Sequence, residues 1–186
     1  MSKFTKPGQI DKFYMKHKGT PFFADLTTVM QSDVVTGMEL VGANAIETLR
    51  GVLGPTDSAQ AKREAPGSLR AAFGTDKLRN AVHASATGAD YQHELGLFFS
   101  PEFAPTAVFN NCTCAIIKPH VIQDGLAGQV IDAILQEGFE ISSMQMFTLD
   151  KPTAEEFFEV YKGVLPEFVG MIEAMTTGPC IVMEVR

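Results

Sequence analysis

The run Phe157-Phe158-Glu159-Val160-Tyr161-Lys162-Gly163 repeats, with substitutions, an earlier run, Phe13-Tyr14-Met15-Lys16-His17-Lys18-Gly19. Working outward, Val-Met-Gln-Ser at 29–32 is echoed by Ala-Met-Thr-Thr at 174–177, and Met-Glu-Leu-Val at 38–41 by Met-Glu-Val-Arg at 183–186. Met30 and Met175 set the offset at 145 residues, the size of a domain rather than of a solenoid repeat. At that offset a counterpart of Lys118 would precede residue 1, and a counterpart of His83 would follow residue 186. Residues 1–99 are therefore expected to be the C-terminal portion of one domain and residues 111–186 the N-terminal portion of a second. Between them, S-P-E-F-A-P-T-A-V-F-N at 100–110 has two prolines and no helical periodicity, which predicts a linker.

The second half reads as regular structure throughout. Cys112–Lys118 is a short apolar run that predicts a buried strand. Gly125–Glu137 places Leu126, Val130, Ile131, Ile134 and Leu135 on one helical face, and Gly138 ends that helix. Phe139–Leu149 predicts a strand, and Thr153 with Glu156 forms a capping box opening a helix through Tyr161. Pro166–Met175 predicts a further helix and Cys180–Val185 a further strand. Strand, helix, strand, helix, strand is the front of a ferredoxin-like α+β unit. The first half supplies the matching back: helices at Phe13–His17 and Pro21–Met30, a strand at Val34–Val41, a helix at Ala43–Leu53 and a short strand ending near His83. Two closures stay open. The halves could complete one permuted domain that brings Lys118 beside His83, or each could need an absent partner of its own.

Composition narrows the function classes. Of 186 residues 45% are hydrophobic and 20% charged, the balance of a globular chain rather than a disordered tail. A net charge of −7 argues against sequence-independent binding to nucleic acid, which needs a basic face. It leaves room for a phosphate ligand held by a few arginines. Cys112, Cys114 and Cys180 give neither a disulfide framework nor a zinc signature, so reduced intracellular thiols and no metal site are expected. No apolar run approaches the roughly 20 residues that span a bilayer. The start, Met-Ser-Lys-Phe-Thr-Lys-Pro, has no apolar signal core, so neither membrane insertion nor secretion is expected.

No G-x-x-x-x-G-K-[ST] occurs, so phosphate would have to be held by separate cationic groups. Arg50, Arg70 and Lys118 each stand beside a turn signal or a strand end, where a single cation is more often only solvated. The turn compositions Gly54-Pro55-Thr56-Asp57 and Ala65-Pro66-Gly67-Ser68 suggest two loops that present arginines and backbone donors to one place. His83 follows Asn80-Ala81-Val82. A histidine in such a setting is usually structural; its functional reading is a nucleophile, because a neutral imidazole can attack a phosphoryl group directly. It would need an orienting acceptor, and Glu94 lies one short helix away.

The joint order of these residues carries more than any one of them. Tyr14, Pro21-Phe22-Phe23, Arg50, Leu53-Gly54-x-Thr56, Pro66-Gly67-Ser68-Leu69-Arg70, Phe73-Gly74, Asn80-x-x-His83-x-Ser85 and Glu94 follow one another as in the nucleoside diphosphate kinase family, which the first half resembles. The second half is similar to the start of that family's domain through Ala115-Ile116-Ile117-Lys118-Pro119, Gly138-Phe139-Glu140-Ile141 and Thr177-Gly178-Pro179. The two-copy layout resembles a tandem-domain branch associated with cilia, axonemal doublet microtubules and gamma-tubulin complexes.

The resemblance implies the family's α+β ferredoxin-like fold and a set of roles. His83 would carry the phosphoryl group between nucleoside triphosphates and diphosphates, with magnesium bridging the β- and γ-phosphates. Arg50, Thr56 and Arg70 would clamp the phosphates, Asn80 would contact the sugar and Phe22 would cover the base. Tyr14, Ser85 and Glu94 would surround the histidine. Lys118 matches the family's phosphate-contacting lysine and belongs to the second copy. The branch implies tubulin, doublet-microtubule proteins and the gamma-tubulin complex as partners, in cytoplasm, cytoskeleton and the axoneme of cilium or flagellum. A mainly structural module with residual activity is expected, with an active kinase as the alternative. The family's usual H-G-S-D reads His83-Ala84-Ser85-Ala86, and Glu167 stands in the second copy where Phe22 stands in the first.

Overall fold

A computed structural model describes residues 1–6, 8–103 and 105–186. The chain divides into two compact units, Ser2–Ala104 and Pro105–Arg186, the second also taking in Met1.

In the first unit α1 (Gln9–Phe13) leads into a 3₁₀ turn, Met15–His17, and α2 spans Phe23–Gln31. There follow α3 (Ala45–Leu53), α4 (Ser58–Glu64), α5 (Leu69–Phe73) and α6 (Gly88–Phe98). The expected single helix over 13–17 is instead two pieces, broken where Tyr14 leaves helical geometry. The core gathers Phe4, Ile10, Phe13, Tyr14, Leu26 and Leu97, with Phe98 and Phe103 packed against it. Its rings meet edge-on, as in Phe4–Phe13 at 5.9 Å and Phe13–Phe98 at 5.4 Å, the arrangement that ring quadrupoles favour.

Short helices persist here because polar caps satisfy their ends. Asp57 accepts from the amides of Ala59 and Gln60 to start α4, Ser68 accepts from Ala71 to start α5, and Thr87 accepts from Asp90 to start α6. Two glycines make room for two of the serines. Gly54 sits at φ 75° against Ser68, and Gly74 lies against the buried Ser58. A Cβ on either glycine would collide with the facing serine hydroxyl.

Two expected strands do not form. Over Val34–Val41, among the described residues, only Val35 pairs, in a bridge to Ser2, and Met38, Leu40 and Val41 are exposed. A strand needs a ladder on its edges; the repeat counterpart of this segment, Cys180–Val185, has a neighbour on each side. The segment ending at His83 is likewise irregular, folded back on itself by the Thr75 amide on the Arg79 carbonyl.

The second unit carries β1 (Thr113–Ile117), α7 (Pro119–Gln123), α8 (Ala127–Gln136), β2 (Ile141–Phe147), α9 (Lys151–Phe157), α10 (Phe168–Thr176) and β3 (Cys180–Val185). The sheet order is β1-β3-β2, antiparallel throughout, with Ala115 opposite Met183 and Met144 opposite Met183 on the other side. One face packs Met183, Val185 and Ile117 under α8; the other packs Cys180 with Ala154, Phe158, Ile172 and Met175 of the later helices. The capping box expected at Thr153 is not the start of α9. Asp150 is the cap, and it accepts from the Thr153 amide at 3.0 Å. Lys151-Pro152 already supplies the first turn, where proline loses no intrahelical bond.

The two ends of the 100–110 segment have different attachments. Phe103 stacks on Phe98 at 5.1 Å in the first unit. In the second, Glu184 accepts from the amides of Val108 and Phe109 at 2.7 and 2.8 Å, and from Ser142 in a β-bulge.

Candidate active site

His83 lies in the loop before α6, and α6 turns Glu94 back toward it. The imidazole Nε2 is 3.0 Å from one oxygen of Glu94, whose other oxygen accepts from Ser85 at 2.5 Å. Burial alone would raise the Glu94 carboxyl; the hydrogen bonds from His83 and Ser85 outweigh it and leave it below its ordinary value. Glu94 is therefore an acceptor, so Nε2 carries the ring proton and Nδ1 keeps a lone pair. The apolar side of the ring meets Phe13 and Tyr14 edge-on, at 5.2 and 5.7 Å between centroids. The Tyr14 phenol, pushed up to about 12 by burial and then by Glu94, stays neutral beside it. His83 itself is 39% exposed. It is held and reachable.

The backbone at His83 is bent sharply. Ala81 has φ 71°, and the Val82 amide donates to the Asn80 carbonyl at 2.9 Å, a three-residue turn. Asn80 is pinned in turn, its amide nitrogen donating to the carbonyls of Thr56 and Lys77. Nothing in the sequence marked this turn, because alanine is not the residue that a positive φ favours.

Arg70, on α5, reaches both loops. Its Nη1 donates to the Gly54 carbonyl and to Thr56 Oγ1, and its Nε and Nη2 donate to the Val82 carbonyl. Arg50 is close enough that, after burial, its charge is the second cause lowering the Arg70 guanidinium. Two cations so placed repel, and an anion received between them would relieve that repulsion. Phe22, 39% exposed, lies 5.6 Å from the ring of His17.

Of the ten residues singled out in the sequence, contacts link Tyr14, His83, Ser85 and Glu94 in one group and Thr56, Arg70 and Asn80 in another, with Arg50 beside Arg70 electrostatically; the Val82 carbonyl, held by Arg70 next to His83, joins the two. Phe22 joins them through His17 and Tyr14. Lys118 belongs to the other unit, where it precedes α7. The contact of Phe13 with the imidazole went unread, since in the sequence Phe13 is simply another apolar residue. A surface hollow of about 460 Å³ in the same unit, between Asp25, Thr28 and residues 76–79, does not include His83.

The family model "Nucleoside diphosphate kinase" matches residues 2–103 and again 111–186. The chain belongs to the nucleoside diphosphate kinase family. It is 44% identical over 178 residues to "Nucleoside diphosphate kinase homolog 7" of Rattus norvegicus and 42% identical to that of Mus musculus, in each case across 94% of this chain and 45% of the relative. The chain thus spans about half the length of these curated relatives. Among solved structures, the nucleoside diphosphate kinase of Aquifex aeolicus superposes with a TM-score of 0.51 at 43% identity, covering 54% of this chain and 70% of that one.

Proposed function

We propose that the first unit carries out phosphoryl transfer between nucleotides through His83. The observation that supports it most is the bond from Nε2 to a Glu94 that Ser85 also holds, because it frees Nδ1 to act as the nucleophile. The Nδ1 lone pair attacks the γ-phosphorus of a nucleoside triphosphate, a bond forms from nitrogen to phosphorus, and the bridging P–O bond breaks with its electrons leaving on the diphosphate. The imidazolium so formed keeps its Nε2 proton toward the Glu94 carboxylate, which stabilises the positive charge. A second diphosphate then takes the phosphoryl group by the reverse path. Arg50, with Arg70, would balance the charge spread over the transferring oxygens, and Thr56, Asn80 and Phe22 would meet phosphate, sugar and base. No group of three or more His, Cys, Asp or Glu side chains among the described residues could hold a metal. Magnesium would accordingly arrive as the nucleotide's own counter-ion.

The test is transfer of label from γ-labelled ATP with magnesium. Acid-labile, base-stable label is expected on the wild-type chain and is expected to vanish in His83→Ala. Equal labelling of the two proteins would remove His83 from the reaction.

A second reading, that the chain serves mainly as a structural module on axonemal doublet microtubules or the gamma-tubulin complex, draws on the second unit. There Glu167 occupies the repeat position of Phe22. With a net charge of −7, attraction to an acidic tubulin surface cannot rest on charge. Binding should therefore depend on shape and survive moderate salt, since exposed charge pairs are screened within about 10 Å at 0.1 M. Fractionation of ciliated cells that leaves all of the protein in the soluble pool would contradict this reading.

A further inference from the structure

Arg70 spends its donors on the protein. A guanidinium has five N–H groups. The Nε and one Nη2 hydrogen both go to the Val82 carbonyl, at 3.2 and 3.0 Å, and Nη1 reaches the Gly54 carbonyl at 2.9 Å and Thr56 Oγ1 at 3.4 Å. That leaves one donor for a ligand. The two-pronged grip usually given to a carboxylate or phosphate is here given to a backbone carbonyl, and that carbonyl belongs to the peptide bond joining Val82 to His83.

The other side of Val82 is fixed as well. Its amide closes the turn onto Asn80, across an Ala81 held at φ 71°, a conformation unfavourable for an L-residue that persists only when its surroundings enforce it. With the amide tied to Asn80 and the carbonyl tied to Arg70, the peptide plane that leads into the His83 Cα is fixed. The imidazole then needs only the edges of Phe13 and Tyr14 and the Glu94 oxygen to define it fully.

We propose that Arg70 is a positioning residue for His83: by gripping the Val82 carbonyl and the Gly54–Thr56 loop at once, it makes the nucleophile and the phosphate-side loop one rigid piece. Lysine cannot replace it. An ammonium is a point donor on a flexible stem and cannot grip one carbonyl with two N–H groups while holding a second at the opposite edge of the same plane. Arg50, exposed and on α3, has the complementary task of meeting the phosphate. The kinetic part of this proposal rests on the phosphohistidine reading, whereas the geometric part concerns the free protein and does not.

The experiment compares the full chain with Arg70→Lys, Arg70→Ala and Arg50→Ala, each labelled with ¹⁵N and without nucleotide. The imidazole nitrogen shifts of His83 report which nitrogen bears the proton. Wild type and Arg50→Ala are expected to give one state with the proton on Nε2. Arg70→Lys, which keeps the charge and serves if Arg70→Ala fails to fold, is expected to give mixed or averaged shifts. In labelling from ATP, Arg70→Lys is expected to lose about 10²-fold in rate at saturating nucleotide, the scale of a misplaced reacting group. Arg50→Ala is expected to act more on KM. An Arg70→Lys protein with wild-type His83 shifts, or one whose loss lies wholly in KM, would overturn the proposal. If the wild type takes no label, the kinase reading fails by itself, and the nitrogen shifts still decide the role of Arg70.

Discussion

Glu94 is held in its charged form by its neighbours. Its folded value lies below its ordinary one, because the bonds from His83 and Ser85 exceed the opposing effect of burial. A carboxyl lowered in this way contributes stability above its unfolded value and loses it as pH falls through the folded value. Ser85→Ala removes one of the lowering bonds. The Glu94 carboxyl should then titrate at higher pH than in the wild type. A ¹³C NMR titration of the Glu94 side chain measures this, and an unmoved titration would mean that the Ser85 hydroxyl does not hold Glu94. The residues of this site were legible in the sequence as an order of types: Arg50, Thr56, Arg70, Asn80, His83, Ser85, Glu94. Their contacts were not. Whether Arg70 faces a ligand or a carbonyl depends on where Val82 lies, and that depends on a turn at Ala81 that residue type does not announce.

Among elements, α9 shows how local signals compete. Thr153-x-x-Glu156 fits a capping pattern, yet Asp150 three residues earlier takes the role with its own side chain on the Thr153 amide. Replacing Asp150 by alanine should cost about 1 kcal/mol in denaturant unfolding. Thr153→Ala should change little, since the amide that is bonded remains. Comparable losses in the two variants would restore the box as the cap. The strand expectations divide for a similar reason. Cys112–Lys118, Phe139–Leu149 and Cys180–Val185 find one another as β1, β2 and β3 and so become strands. Val34–Val41 has an apolar pattern close to that of β3, but a pattern alone forms no ladder, and Ser2 is its single bridge partner among the described residues.

At the scale of the whole molecule, each unit contains a carboxylate far below its ordinary value. Asp76 is held at about 2 by the Arg79 backbone amide, the Arg79 side chain and the Leu78 amide. Glu184 is held at about 2 chiefly by the Ser142 hydroxyl and the Val108 amide. Both folded values lie below the roughly 4 of a free carboxyl. Their stabilisation is therefore complete above that range and is lost as pH falls from about 4 toward 2. Thermal midpoints should decline across this window, and Asp76→Asn combined with Glu184→Gln should flatten the decline. An equally steep decline in the double variant would assign acid sensitivity to other groups.

The serine–glycine pairs flanking the arginine loop, Ser68 with Gly54 and Ser58 with Gly74, bear on how substitution data from this family should be read. Ser68 starts the helix that carries Arg70, and Ser58 ties its own helix to the Asp76 carbonyl. Enlarging either glycine displaces its serine. These four positions would then tolerate change as poorly as His83 does, although none of them is expected to touch a nucleotide. A map of intolerance alone would draw the proposed site too large; only loss of the proposed transfer with folding retained would bring it back to its true outline.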